Sequence, residues 1–296
     1  MRRTRFTAAA VALALAGVLA PTTAQATELD LLAPDVLPPA DVTAPEDQIP
    51  LDAESAAKVA EALATAATIP GTSAAELAAI TEELGEIRQL NPRAVDTAAT
   101  AVSRARTHLS KSGTVTAAAQ PMSTPTLRLL TVTHQVQSTK YYCGPATASM
   151  IVRFKGKTHS QATLAGSSYL QTDSRGATPW ASNRMAPTLN NVLGISRYKA
   201  VGAPSLSTLK GAFVNSVNAS YPLAVGTVEH VGERYNQHPT DRLIGHWIVG
   251  RGFDGGGNTL LFADPATNVW PGLTPSKFFT QSASSFHKFV DNGIVY

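Results

Sequence analysis

Tyr142-Cys143-Gly144-Pro145-Ala146, followed by Thr147, Met150, Ile151 and Phe154 on one face at helical spacing, is the stretch on which the reading of this chain turns. Gly144, Pro145 and Ala146 start a helix in this pattern, and the sulfur of Cys143 falls at its N-terminus. The positive end of a helix dipole and its free N–H groups favour thiolate over thiol, bringing a cysteine below its free pKa of about 8.5. Cys143 is also the one cysteine of the 296 residues, so it makes no internal disulfide and a chemical role comes forward. The plain alternative is a cysteine packed as a small hydrophobe. The helix-opening context favours a nucleophile.

A thiolate nucleophile needs a base. Of seven histidines, His246 is the best placed, heading the apolar run Trp247-Ile248-Val249-Gly250-Arg251-Gly252-Phe253, where a strand end holds an imidazole firmly. Asp254-Gly255-Gly256-Gly257-Asn258 then signals a turn into a second strand, Thr259 to Ala263. If that turn is symmetric, Phe253 faces Thr259, His246 faces Ala266, and Asp264 lies diagonally from His246 on the same face. Diagonal neighbours are about 7 Å apart, within side-chain reach. A slip of one residue would break this pairing. Gln137, six residues before Cys143, together with the Cys143 backbone N–H, supplies donors for an oxyanion. On spacing alone Gln135 is nearly as good. A single cysteine rules out paired-thiol metal sites, and His230, His238 and His246 at intervals of eight match no zinc motif. The expectation is no metal and no cofactor.

Upstream of this region the texture differs. Arg2, Arg3 and Arg5, the charge-free run from Thr7 to Ala20 and Ala24-Gln25-Ala26 read as a signal peptide over residues 1–26. That run is shorter than the roughly 20 residues that cross a bilayer, so the mature chain is expected to be secreted, extracellular or wall-associated, with no transmembrane segment after cleavage. Residues 27–50 form a Pro-rich acidic linker, residues 51–110 a helical region, and residues 111–125 a second linker. Helices are predicted from about Asp52 to Ala67, from the capping box Ser73-Ala74-Ala75-Glu76 through Leu77, Ile80, Leu84 and Ile87, and from Asn91-Pro92 through Val95, Val102 and Leu109. Such alanine-rich stripes bury little area and gain from docking. From Thr27 to Gln120 there are 14 Asp/Glu against 6 Lys/Arg, a net of −8; from Pro121 to Tyr296 there are 7 against 15, a net of +8. The two halves should attract one another. The 15 cations of the second half are scattered and lack a nucleic-acid signature, so no nucleic-acid partner is expected.

Residues 126–296 mix helical patches at Cys143–Lys155, Ser182–Leu193 and Ser205–Val217 with strands at Tyr221–Val228, His246–Phe253 and Thr259–Ala263, an α+β pattern. Gln137, Cys143-Gly144-Pro145-Ala146, His246-Trp247-Ile248-Val249 and Asp264-Pro265, in this order and spacing, resemble the double-glycine (bacteriocin-leader) peptidases, family thirty-nine of the cysteine peptidases, and their stand-alone relatives. The resemblance covers about His134 to Tyr296. It implies a papain-like fold, with a helical half carrying the cysteine and an antiparallel β half carrying the histidine and aspartate. It also implies Cys143 as nucleophile, His246 as general base and acid, Asp264 as orienting residue and Gln137 as oxyanion donor, acting on a peptide or protein substrate. Transporter-borne members carry a membrane span and a phosphate loop. This chain shows neither a second apolar span nor Gly-x-x-x-x-Gly-Lys, so leader removal coupled to transport is not implied. The leading expectation is a secreted cysteine peptidase, with residues 51–110 as a propeptide in contact with the basic domain. A thiol amidase or acyltransferase on cell-wall peptides, or a non-catalytic binding module, are the alternatives.

Overall fold

Three amphipathic helices open the described part of the chain, α1 (Ala53–Ala67), α2 (Ala74–Ile87) and α3 (Pro92–Ser112). The computed structural model describes residues 49–112 and 126–296. The signal peptide expected over 1–26, most of the Pro-rich linker and most of the second linker lie outside these residues. Each of the three helices starts where its cap chemistry dictates. Asp52 accepts from the Ser55 N–H, Ser73 and Glu76 close a reciprocal capping box, and Asn91 accepts from the Ala94 N–H at 3.2 Å. Their apolar stripes, including Leu63, Leu77, Ile80, Leu84, Val95 and Val102, are buried. Among the described residues no helix is long and apolar enough to cross a membrane.

The remainder is α+β. In chain order come β1 (Arg128–Leu129), α4 (Cys143–Phe154), α5 (Gln161–Ala165), α6 (Thr172–Arg175), α7 (Met185–Leu193), β2 (Ala200–Gly202) and α8 (Leu206–Asn218). Then follow β3 (Leu223–Glu229), β4 (Ile244–Asp254), β5 (Thr259–Ala263), β6 (Phe278–Ser282), α9 (Ala283–His287) and β7 (Gly293–Val295). All strands pair antiparallel in one sheet of order β2-β7-β3-β4-β5-β6, and β1 joins β4 beyond the end of β3. The central strands read as near-continuous apolar runs because helices and loops cover both faces, and every residue of β3 is buried. α4 packs on β3 and β4, and α8 packs on β4.

The turn between β4 and β5 corrects the register expected from the sequence. Asp254 extends β4 and accepts from the Gly255 N–H at 2.6 Å, so Asp254, not Phe253, faces Thr259. Between Gly250 and Gly252 the register then shifts by one, leaving Arg251 as an extra residue in β4. The carbonyl of Arg251 accepts from the Leu130 N–H at 2.8 Å, just past β1. Below this bulge Gly250 faces Phe262 and Val249 faces Ala263. The asymmetric turn and the bulge cancel, so the lower half of the hairpin keeps the alignment in which Asp264 is diagonal to His246.

The N-terminal helices lie against α8. Gly211 sits so close to α1 that a Cβ there would meet the Ala62 carbonyl oxygen at 1.9 Å, and one apolar core runs from Leu63 and Ile69 into Leu209, Phe213 and Val214. Polar contacts frame the seam. Glu83 accepts from Ser205 Oγ and Thr208 Oγ1, both at 2.6 Å, at the start of α8, where the dipole favours a carboxylate. Lys210 pairs with Glu76 at 3.3 Å, Lys199 with Glu54, and Tyr296 donates to the Lys58 carbonyl at 2.6 Å.

Candidate active site

Cys143 is the first residue of α4 and is buried. The residue before it, Tyr142, provides no side-chain cap. Pro145 suits the first turn, where its missing N–H costs no helical bond. Gly144 is required by packing, since a Cβ there would come within 2.3 Å of Thr178 Oγ1.

The helix is pinned to the sheet one turn further on. Thr147 Oγ1 donates to the Trp247 carbonyl at 2.9 Å. Cys143 lies one turn back along α4 and His246 one residue back along β4, so this bond ties the cysteine-bearing helix to the histidine-bearing strand. Trp247 adds a second tie by donating to the Thr178 carbonyl at 2.7 Å, and its ring stacks on Trp180 at 5.6 Å. All three tryptophans are buried, and Trp270 covers the histidine region, with its ring centroid 6.3 Å from that of His246.

His246 is buried, and its Nε2 donates to Asp264 Oδ1 at 2.8 Å. Nδ1, the other ring nitrogen, is buried with no hydrogen-bond partner among the described residues. Asp264 is held from every side. Oδ1 also accepts from the Ala266 N–H at 2.8 Å, while Oδ2 accepts from Asn236 Nδ2 at 2.8 Å and from His238 Nε2 at 2.9 Å. Its backbone N–H donates to the Lys277 carbonyl at 3.0 Å, and its carbonyl meets His134 Nε2 at 2.6 Å. Burial alone would raise the Asp264 pKa, but the electrostatic attraction of the His246 and His238 rings and the hydrogen bonds from both hold it well below the usual carboxylate range.

The chain of charges continues past Asp264. His238 Nδ1 meets Glu229 Oε1 at 2.5 Å, and Glu229 Oε2 accepts from the Tyr235 N–H at 3.2 Å. Glu229, His238 and Asp264 are fully buried. Burial disfavours the charged form of His238, yet Asp264 and Glu229 outweigh it and push its pKa up to about 9. The Tyr235 phenol, edge-on to His238 at 5.1 Å, is pushed well above its ordinary range by burial and then by the charges of Glu229, Asp264 and Cys143. The cysteine thus belongs to the same electrostatic neighbourhood.

Of the residues singled out from sequence, the fold brings His246 and Asp264 into direct contact and ties the Cys143 helix to the His246 strand. Gln137 is buried on the adjoining loop, with its N–H bonded to the Pro265 carbonyl at 3.0 Å. Its Nε2 donates to the carbonyls of Thr139 at 2.9 Å and Lys140 at 3.0 Å, so serving an oxyanion requires exchanging one of these bonds. Gln135 has another job, accepting from Ser149 of α4 at 3.0 Å. The three histidines at intervals of eight do not converge. His230 is exposed and 3.4 Å from Asp291, whereas His238 and His246 share Asp264, with nitrogen and oxygen atoms of the three side chains within 4.8 Å of one another. Sequence reasoning missed the roles of His238, Glu229 and Asn236. Glu229, a carboxylate closing an otherwise apolar strand, was the one available signal, because a buried charge demands a partner.

The model of the Peptidase_C39 like family matches residues 129–289, a span that contains every residue of this site. No curated protein matches the chain.

Proposed function

Because the chain belongs to the Peptidase_C39 like family, we propose that it is an exported cysteine peptidase working through Cys143, His246 and Asp264. The observation that carries the reading is the His246 ring. Its Nε2 is committed to Asp264 at 2.8 Å, and its buried Nδ1 is the nitrogen left for the thiol of a cysteine at a helix N-terminus that is hydrogen-bonded to the same strand. His246 takes the proton from Sγ through Nδ1, and the thiolate attacks the substrate carbonyl. The oxyanion that develops is held by the Cys143 N–H and by Gln137 once Nε2 releases a loop carbonyl. His246 returns the proton to the leaving amine, and a water activated by the same ring hydrolyses the thioester. Asp264 keeps the imidazole in one tautomer and stabilises its cation.

The test uses purified chain and an unfolded protein substrate, read by mass spectrometry for new termini and for an acyl adduct on Cys143. Cleavage that falls by at least about 10³-fold in both Cys143→Ala and His246→Ala supports the peptidase. Release of fragments from purified cell wall without cleavage of protein moves the activity to an amidase. Equal behaviour of wild type and Cys143→Ala on both substrates overturns the reading.

A further inference from the structure

His238 lies outside the three residues assigned to the reaction, yet both of its ring nitrogens are committed to buried carboxylates. It stands between two buried carboxylates, with Nε2 on Asp264 Oδ2 at 2.9 Å and Nδ1 on Glu229 Oε1 at 2.5 Å. Neither acid needs a proton of its own. Asp264 accepts from four donors, and Glu229 accepts from the Tyr235 N–H as well as from His238. A histidine facing two acceptors must donate from both nitrogens, which only the imidazolium does. Its loop is built to hold it there. Gln237, immediately before it, has a left-handed backbone (φ 57°), a conformation that costs a non-glycine residue of this kind some stability. Asn236 clamps the same loop by bonding Asp264 Oδ2, the Ser276 carbonyl and the Ser276 N–H.

We propose that His238, held by Glu229, is a positioning residue for the reaction. It occupies Asp264 Oδ2 so that Oδ1 is aimed at His246, and its fixed positive charge favours the thiolate of Cys143. The inference rests on the catalytic reading of Cys143 and His246 given above. The charge count explains the second effect. The labelling onset reads loss of the Cys143 proton to solvent, and for that step the neighbouring Asp264 and Glu229 anions and the His238 cation contribute one net negative charge. Without the His238 cation they contribute two, and a thiolate beside two negative charges is harder to form. The groups facing His238 from the surrounding elements are Glu229 on β3, His246 on β4, Asp264 after β5, and Tyr235 and Asn236 on its own loop, with Trp270 over its ring at 4.5 Å. Arg234, Asp241 and Arg242 line the adjoining cavity, and the last two pair with each other at 2.7 Å. The raised pKa of His238 agrees with a cation that persists across the neutral range.

The experiment measures the rate of Cys143 alkylation by iodoacetamide from about pH 5 to 10 in the full chain. The variants are His246→Ala, His238→Gln, and the double variant His238→Gln/Glu229→Gln. His238→Gln leaves Glu229 buried without its cation and is expected to move the onset of fast labelling to higher pH, with a rate lower by about 10-fold at pH 7. The double variant removes one charge of each sign, restores the net count, and is expected to return the onset towards wild type. If the single variant fails to fold, Glu229→Gln alone, which removes an anion and leaves the His238 cation, is read instead; it is expected to move the onset to lower pH, and an unchanged onset overturns the inference. A double variant that keeps the displaced onset, or a His238→Gln profile identical to wild type while His246→Ala collapses, overturns the inference. A His246→Ala profile identical to wild type instead overturns the catalytic reading itself.

Discussion

Asp264 gathers more of this site's order than Cys143 does, because its two oxygens receive four donors while fully buried. Asp264→Asn would put an NH2 group against at least one donor, forcing His246 towards the wrong tautomer. The expected result is a fall in kcat of about 10²- to 10⁴-fold with the fold retained, checked by steady-state kinetics beside a thermal melt. Stability should also report on these charges. His238 is raised from 6.5 to about 9 in the folded chain, so its contribution is complete below about pH 6.5 and is lost as pH rises through about 9. Asp264 is lowered from 3.8, so its contribution is present above about pH 4 and is lost as the solution is acidified below that. Melting temperature measured against pH should therefore fall between about 6.5 and 9, and the double variant His238→Gln/Glu229→Gln should lose that fall. A wild-type melting temperature that is flat over this range would contradict a doubly paired imidazolium. Cys143, His246, Asp264 and Gln137 could be read from the sequence as candidates. The role of His238 could not, because it sits on a loop and its partners, Glu229 at the end of β3 and Asp264 after β5, are brought to it only by folding.

At the scale of elements, a hairpin with a compensating bulge decides whether the histidine and aspartate meet. Asp254 faces Thr259 at the turn, and Arg251 restores the alignment below it. Deleting Arg251 would flip one side of the hairpin relative to the other, since side chains alternate faces. The expected outcome is loss of activity together with an altered hairpin, seen as changed amide exchange in β4 and β5. Retained activity would show that the bulge does not set the site. The Thr147 bond to the Trp247 carbonyl is the corresponding device between helix and strand. Thr147→Val keeps the shape but leaves that buried carbonyl without its donor, costing about 1–3 kcal/mol of stability, and should slow Cys143 labelling at neutral pH. Helix starts were legible because caps are local: Ser73 with Glu76, Asn91 and Ser205 each bond their own first turn. The short strands β1, β2 and β7 were not, because two or three residues carry no periodicity and gain their place from partners far along the chain.

Across the whole molecule, the N-terminal helices and the α+β domain share one apolar core, with Gly211 allowing α1 to approach α8 almost to backbone contact. Gly211→Leu should separate them. The expected signs are protease sensitivity within residues 53–112 and a lower melting temperature, with limited proteolysis as the measurement; unchanged resistance would mean the seam tolerates a side chain. The contacts named at this seam fall on α8, Lys199 and Tyr296, not on the Cys143 or His246 elements. These contacts seat α1 and α2 against α8. The sequence by itself determined the α+β class, the helix that opens at Cys143, the strand that begins near His246, the three capped N-terminal helices and the opposite charges of the two halves. Each of these is carried by local periodicity, capping chemistry or composition. Tertiary structure alone decided that α1 rests on α8, that a bulge repairs the hairpin register, and that His238 and Glu229 extend the line of buried charge behind Asp264. Those outcomes depend on which distant groups can satisfy a buried charge or fill a buried face, and that is settled only when the chain closes on itself.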